Sequence, residues 1–215
     1  MCGRFVANNE LETIKEVFNP KIAPSLALGE NYNVSPSQNT FVINKQKAAV
    51  VELNTKVWGF TTTWDTKRRL ANARSESILQ KASFKDSYLY RRCLVPIDGY
   101  YEWFRVNEKP TQAYFIYSKK MKLLPVAGIY LDDEMTILTT SANARLSAIH
   151  DRMPVLVPPR NWESWLDQSI TEPGQIQSLI PSAPLDFLDA YPVSSSVNNS
   201  RSKGKNLIDP IGPEI

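Results

Sequence analysis

Hydrophobic and polar positions along this chain alternate mostly in short runs, which is the pattern of β-strands. The predicted strands are residues 40–44, 48–53, 56–60, 93–97, 100–106, 113–118, 124–130 and 136–140, with a strand-like run at 185–197. Asp98-Gly99 separates two of these runs and is typical of a hairpin turn. Strands therefore dominate the predicted structure.

Helical spacing is confined to short, separate stretches. Apolar residues recur at helical intervals from Leu11 to Phe18, and Asn9 with Glu12 forms a capping-box pattern before them. Further short helices are predicted at residues 75–83, at 143–149, after Asn161 and after Thr171. Residues 20–38 are predicted to form an ordered loop and 198–215 a polar tail. The expected fold is a single α+β domain over residues 1–215, with a β-rich core and short peripheral helices.

Composition narrows the possible function classes. The chain has 215 residues, of which 42% are hydrophobic and 22% charged, so it is long enough to bury a core. Its apolar runs are too short to cross a membrane, and we see no secretory signal. One histidine and two cysteines without paired spacing argue against a structural zinc site. Neither a glycine-rich phosphate loop nor a Rossmann fingerprint occurs, and we expect no cofactor. Free thiols at Cys2 and Cys93 without an export signal predict a cytoplasmic location.

Basic residues are concentrated between positions 66 and 92. They are Lys67, Arg68, Arg69, Arg74, Lys81, Lys85, Arg91 and Arg92, against Glu76 and Asp86. Such a stretch is often a solvated face, but it also suits contact with phosphates. Trp58 and Trp64 are either core residues or platforms on which bases stack.

The second residue has a chemistry that no internal cysteine shares. Once Met1 is removed, Cys2 carries a free α-amine and a thiol on adjacent carbons. Because the amine titrates at roughly 7.7–8.0 and the thiol near 8.5, reactive fractions of both exist at neutral pH. The amine can condense with an aldehyde, and the thiol can close a thiazolidine ring on the imine. A cysteine after the start methionine can also be incidental.

Three further residues are candidates for chemistry. Glu102 lies among aromatic residues on a predicted strand, where an apolar setting would raise its pKa and suit it to proton transfer. His150, the only histidine, lies at a predicted helix end and is either structural or titratable. Asn72 is either a turn residue or an amide that orients an amine or a sugar hydroxyl. Taken one by one, none of the three is decisive.

Six short motifs occur in order along the chain. They are Met1-Cys2-Gly3-Arg4-Phe5, Tyr32-Asn33-Val34-Ser35-Pro36, Trp58-Gly59-Phe60, Asn72-Ala73-Arg74-Ser75-Glu76, Cys93-Leu94-Val95-Pro96 followed by Gly99-Tyr100-Tyr101-Glu102-Trp103, and His150-Asp151-Arg152-Met153-Pro154. The series closely resembles the SOS response-associated peptidase (SRAP) family of abasic-site processing proteins, over residues 2–166. The resemblance implies a fold of meandering antiparallel sheets in a barrel-like arrangement.

The resemblance also implies a reaction and the residues that perform it. In the family, the N-terminal cysteine crosslinks to the ring-opened aldehyde of an abasic site in single-stranded DNA, and Cys2 matches it. Asn72 would hold the amine and sugar, Glu102 would move protons in both directions of the reaction, and His150 would act through a sugar hydroxyl. The residues expected to contact DNA are Arg4, Asn33, Pro36, Trp64, Arg74 and Thr139. A monomer acting on single-stranded DNA is expected, at the nucleoid if the source is bacterial.

The chain departs from some relatives at two places, and other functions remain open. Ala82 stands where some relatives have arginine, and Thr63-Trp64 replaces a tryptophan pair, which affects DNA binding more than the covalent chemistry. Cys2 could instead serve a cysteine peptidase or N-terminal nucleophile hydrolase, of which self-removal of Met1 would be a minimal form. A non-catalytic binder of single-stranded DNA is the third possibility.

Overall fold

The structure is a computed structural model, and it describes residues 2–8, 10–21, 28–45, 50–62, 69–106 and 109–215. Among these residues the strands are β1 (Arg4–Ala7), β2 (Asn31–Val34), β3 (Asn39–Lys45), β4 (Val51–Trp58), β5 (Phe60–Thr61), β6 (Arg69–Leu70), β7 (Asn72–Arg74), β8 (Arg92–Ile97), β9 (Gly99–Val106), β10 (Lys109–Tyr117), β11 (Leu124–Leu131), β12 (Glu134–Ser141), β13 (Arg152–Pro154) and β14 (Asp189–Val193). The α-helices are α1 (Leu11–Phe18), α2 (Ala82–Tyr90), α3 (Trp162–Leu166) and α4 (Pro173–Ser178). None of the described helices is long and apolar enough to cross a membrane.

Two larger sheets carry the fold. The first has the strand order β14-β10-β9-β1-β2 and is antiparallel throughout. In the second, β11, β8, β3, β4 and β12 follow one another, and β12 also pairs with β11, so these strands close into a barrel. The predicted β-rich α+β fold with a barrel-like arrangement is confirmed. It is not purely antiparallel, because β12 runs parallel to β4 and to β7.

The turn at Asp98-Gly99 is a corner between the two sheets, so the predicted hairpin is wrong. β8 pairs with β3 and β11, whereas β9 pairs with β1 and β10. Asp98 accepts the backbone N–H of Asn8 at 2.7 Å, which fixes the chain at the corner. A Cβ on Gly99 would lie 2.4 Å from the ring of Phe115, so glycine serves close packing here.

Several other predicted boundaries moved. The strands predicted at 48–53 and 56–60 are joined in β4. Asn54, between them, does not form a turn: its side chain donates to Asn44 on the neighbouring strand β3 and to Glu52 on its own strand. The helix predicted at 75–83 is a 3₁₀ segment, Ser75–Gln80, followed by α2. The helix predicted at 143–149 is a short 3₁₀ turn, Leu146–Ala148. α1 has the predicted bounds but no side-chain cap, and Asn9 lies outside the described residues.

The segment predicted as a polar tail packs against the first sheet. Leu207 is buried there, and Pro210 bridges to Val193 of β14. The Tyr191 hydroxyl donates to the carbonyl oxygen of Ile208 at 2.8 Å. The chain after β14 is therefore part of the folded domain, and it lies beside the sheet that contains β1.

Candidate active site

Cys2 lies immediately before β1, inside the apolar core. Its side chain is fully buried, in the same cluster as Phe5 and Tyr100, and its thiol makes a long contact of 3.9 Å with the carbonyl oxygen of Arg4. Burial raises the pKa of the Cys2 thiol far above its usual range, and the charge of Glu102 adds to that effect. The thiol is therefore held neutral, and its use as a nucleophile requires a group that removes its proton.

Glu102 is a carboxyl group held in the protein interior. It lies on β9 opposite Tyr114 and is only 2% exposed. Burial raises the pKa of Glu102 to about 7, although neighbouring positive charge acts in the opposite direction. A carboxyl with that pKa can donate or accept a proton at neutral pH, which suits general acid–base catalysis. The pKa increase predicted from its aromatic setting is thus present.

His150 faces this carboxyl. Its Nε2 lies 4.0 Å from Oε2 of Glu102, and its side chain is 13% exposed. The backbone N–H of Arg152 donates to Nδ1 at 3.0 Å. Asp151 also approaches Nδ1, at 2.8 Å, with a side chain that is 80% exposed. Because the backbone N–H of Arg152 can only donate, Nδ1 is the acceptor in the neutral ring, and the proton is then on Nε2, towards Glu102. Burial lowers the pKa of His150 and favours this neutral form.

Asn72 begins β7, which pairs with β12 on the side opposite β13. The Oδ1 atom of Asn72 is buried and accepts no hydrogen bond from any residue that the structure describes. The preceding carbonyl, of Ala71, accepts the indole N–H of Trp58 at 2.8 Å and so fixes the start of the strand. A buried amide oxygen without a donor costs free energy, and it is a natural place for an incoming N–H or O–H group.

An ion pair that the sequence analysis did not assign supports this region. Arg152 donates to both carboxylate oxygens of Glu76, at 2.8 and 2.9 Å, and to the backbone oxygen of Thr139 at 2.7 Å. These hydrogen bonds lower the pKa of Glu76 to about 2. Because the N–H of Arg152 also bonds to His150, the pair holds the imidazole in place. In the sequence, the only sign of this pair was that Glu76 and Arg152, which have opposite charges, each lie in one of the six motifs.

The predicted DNA contacts have different surroundings. Arg74 is exposed, and its side chain has no hydrogen-bond or ion-pair partner in the described part of the chain. Pro36 is half-buried in the turn between β2 and β3, whereas Thr139 is fully buried beside Arg152. Arg4 and Asn33 bond to each other at 2.8 Å. Trp64 lies outside the described residues.

The predicted basic strip is not one continuous face. Arg92 is fully buried, and its guanidinium donates to the carbonyl oxygens of Leu89 and Trp165 at 2.7 and 2.8 Å, which is a structural role. Arg69 pairs with Glu134 at 2.6 Å. Arg74, Lys81 and Lys85 are exposed, and Lys67 and Arg68 lie outside the described residues. In the parts of the chain that are described, no three His, Cys, Asp or Glu side chains are arranged to hold a metal ion.

The chain as a whole is similar to known proteins. Residues 1–200 match the family model described as SOS response associated peptidase (SRAP). The chain is 34% identical to the abasic site processing protein YoqW of Bacillus subtilis, with 97% of this chain and 99% of that protein covered. It is 28% identical to the abasic site processing protein YedK of Escherichia coli, over 98% and 100%. A crystal structure from Bacteroides thetaiotaomicron has the same fold, with a TM-score of 0.81 and 21% identity over 97% of this chain and 99% of that one.

Proposed function

The chain belongs to the SRAP family, and from this membership we propose that it acts on abasic sites in single-stranded DNA, forming a covalent thiazolidine link through Cys2. One observation carries the proposal: the residue that becomes N-terminal when Met1 is removed lies in the interior close to a buried carboxyl, which in turn faces a histidine. The abasic site as the lesion comes from the names of the relatives. The buried positions of Cys2 and Glu102 support the thiazolidine chemistry.

The first stage is condensation. Removal of Met1 frees the α-amine of Cys2, which attacks the aldehyde carbon of the ring-opened abasic sugar. The resulting carbinolamine loses its hydroxyl as water with a proton from protonated Glu102, and the Glu102 carboxylate takes up the N–H proton as the imine forms. Its pKa of about 7 means that both protonation states are populated at neutral pH. The unpartnered Oδ1 of Asn72 accepts a hydrogen bond from the amine or from the sugar.

The second stage is ring closure. The Cys2 sulfur adds to the imine carbon, and the thiol proton is transferred to the imine nitrogen with Glu102 as the carrier. The sum of both stages joins an aldehyde to an aminothiol with loss of one water. In the proposed reaction, the Nε2 side of His150, which faces Glu102, donates to a sugar hydroxyl during ring opening. In the reverse direction, Glu102 protonates the leaving nitrogen.

The positive groups near the site fit a phosphate backbone. Arg74 follows Asn72 on the same strand and has an unpaired charge among the described residues. Arg4 follows Cys2 by two residues. Basic side chains of this kind give affinity for DNA without reading its sequence. The DNA roles of Pro36, Trp64 and Thr139 stay predictions.

The test is an intact-mass measurement. Purified protein is mixed with a single-stranded oligonucleotide that carries one abasic site, and the products are weighed under denaturing conditions. We expect one species with the mass of the protein without Met1, plus the DNA, minus one water. Protein without Met1 that forms no such species contradicts the proposal.

The Cys2→Ser variant separates the other two functions. It keeps the α-amine and loses the thiol, so a crosslinker would bind DNA but yield no stable ring. A non-covalent binder would behave as the wild type, and a hydrolase would retain weak activity on peptides. Weighing the Glu102→Gln variant after expression tests whether the chain itself removes Met1: retention of Met1 in this variant alone would support self-processing.

A further inference from the structure

Arg4 is held by neutral acceptors and by no carboxylate. Its Nη1 donates to Oδ1 of Asn33 at 2.8 Å and to the backbone oxygen of Val197 at 2.9 Å, and its Nη2 donates to that of Asn198 at 3.4 Å. Among the described residues no acidic side chain forms an ion pair with it. Its orientation is fixed while its charge is not neutralised.

Arg4 differs from two other arginines that the fold holds in place, Arg152 and Arg92. Arg152 is buried more deeply than Arg4, and its charge is matched by the two oxygens of Glu76. Arg92 is bonded to carbonyl oxygens alone, as Arg4 is, yet it is fully buried and out of reach of a ligand. Arg4 combines a fixed guanidinium, an unmatched charge and partial exposure. This combination suits an anion such as a phosphodiester.

Asn33 provides a second link between Arg4 and the carboxyl-terminal part of the chain, beside the direct hydrogen bonds from Arg4 to Val197 and Asn198. Its side chain is fully buried, so it is not itself placed to contact DNA. Its Nδ2 donates to the backbone oxygens of Asn199, Ser202 and Val197 at 3.0, 3.3 and 3.5 Å. Arginine only donates and carbonyl oxygens only accept, so the two ends of the amide can be assigned in one way.

The 194–202 segment is in turn anchored to the first sheet. The indole N–H of Trp103 on β9 donates to Oδ1 of Asn198 at 2.6 Å. Val197 is fully buried against β10, and Leu207 is buried farther along the chain. The segment therefore presents its carbonyl oxygens at a fixed place beside β1.

We propose that Asn33 and the 194–202 segment together are a positioning device that holds the Arg4 guanidinium ready for a phosphodiester next to the reacting nucleotide. The inference rests on the proposed function, since it names how that site grips DNA. Asn33 acts through Arg4, and the 194–202 segment completes the site with backbone carbonyl oxygens. Because these are backbone atoms, the types of the side chains in the segment do not reveal this role.

The test measures binding without chemistry. The probe is a single-stranded oligonucleotide with a tetrahydrofuran in place of the abasic sugar, which has no aldehyde. Its affinity is measured at several salt concentrations for the wild type, Arg4→Ala, Asn33→Ala and the double variant. Loss of one phosphate contact reduces the slope of log K against log salt by about 0.7 for single strands. We expect this reduction in both single variants, and we expect the double variant to match Arg4→Ala within about twofold.

Two further variants separate positioning from general destabilisation. Asn44 is another fully buried asparagine, in the other sheet, with a hydrogen bond from Asn54 at 2.9 Å. Asn44→Ala should lower stability and leave the salt slope at the wild-type value. Asn198 is exposed, so Asn198→Ala should fold; it removes the anchor to Trp103 and should reduce the slope with Asn33 intact. If Asn33→Ala does not fold, the salt slope of the Asn198→Ala variant tests the inference instead.

The outcomes distinguish the two proposals. A wild type that crosslinks abasic DNA, with wild-type slopes for the Asn33 and Asn198 variants, overturns the inference and leaves the proposed function standing. The inference is also overturned if the reductions in affinity caused by Asn33→Ala and Arg4→Ala add in the double variant, because the two residues would then act separately. A wild type that neither binds the probe nor crosslinks removes the proposed function, and the inference falls with it.

Discussion

The Nε2 atom of His150 lies 4.0 Å from the Oε2 atom of Glu102, and both groups are enclosed by the fold. The distance is longer than a hydrogen bond, so the two groups do not bond to each other, and one oxygen atom beside them can lie within hydrogen-bond distance of both. The backbone of Arg152 fixes the imidazole from behind. A substrate hydroxyl that enters between them would meet a donor on one side and a titratable carboxyl on the other.

Replacing Glu102 with glutamine should slow crosslinking far more than it weakens binding. Glutamine keeps the size of the side chain but cannot carry a proton, so we expect the rate of adduct formation to fall by about 10²- to 10⁴-fold. The measurement is a quenched time course on a denaturing gel, using protein from which Met1 has been removed. Glu163→Gln is the control, because that carboxylate is 91% exposed on α3. Equal rates for wild type and the Glu102 variant would contradict the assignment.

The same carboxyl makes stability depend on pH. The pKa of Glu102 is raised from 4.5 to about 7 in the folded protein. The folded state therefore binds the proton more tightly than the unfolded state, and stability is lost as pH rises between about 4.5 and 7. A shift of this size corresponds to roughly 3 kcal/mol. The free energy of unfolding of the wild type and of Glu102→Gln is measured with guanidinium at pH 5 and at pH 8. Relative to the wild type, the variant should be more stable at pH 8 than at pH 5. A difference that is the same at both pH values would rule out the raised pKa.

Two neighbouring tyrosines should respond oppositely to loss of their hydroxyls. The hydroxyl of Tyr100 is buried and has no hydrogen-bond partner among the described residues, whereas that of Tyr101 donates to the carbonyl oxygen of Tyr32 at 2.8 Å. Tyr100→Phe removes an unsatisfied polar group and should stabilise the protein by about 1 kcal/mol, and Tyr101→Phe should destabilise it by about 1 kcal/mol. Urea unfolding of the two variants is the measurement. A loss of stability in both would mean that the Tyr100 hydroxyl has a partner in solution, such as a buried water.

The corner at Gly99 should not tolerate a side chain. A Cβ there would meet the Phe115 ring at 2.4 Å and the backbone oxygen of Ile116 at 2.6 Å, so the sheet would have to move. We expect Gly99→Ala to cost about 1–3 kcal/mol, the range for overpacking. Gly29→Ala is the matched control, because no atom of the residues that the structure describes lies within 4 Å of its added Cβ. Thermal unfolding of the two variants compares them, and similar melting temperatures would contradict the close packing.

The sequence pattern located most strands but not their partners. Short apolar runs identified β8 and β9 on either side of Asp98-Gly99, and these two turn residues fit a hairpin. Pairing is decided by contacts distant in the sequence, here with β11 and β10, and the close approach of Phe115 to Gly99 is invisible in a local pattern. Likewise, nothing local marked Arg92 as buried among carbonyl oxygens within the basic strip.

The sequence by itself determined the β-rich class of the fold, the family and the candidates Cys2, Asn72, Glu102 and His150, because residue type and order carry those. Only the tertiary structure decided the state of each group. Burial raises the pKa of Glu102, the Arg152 backbone orients His150, and carbonyl oxygens from the far end of the chain hold Arg4. Desolvation and long-range hydrogen bonds depend on where the chain packs, and no local pattern specifies that.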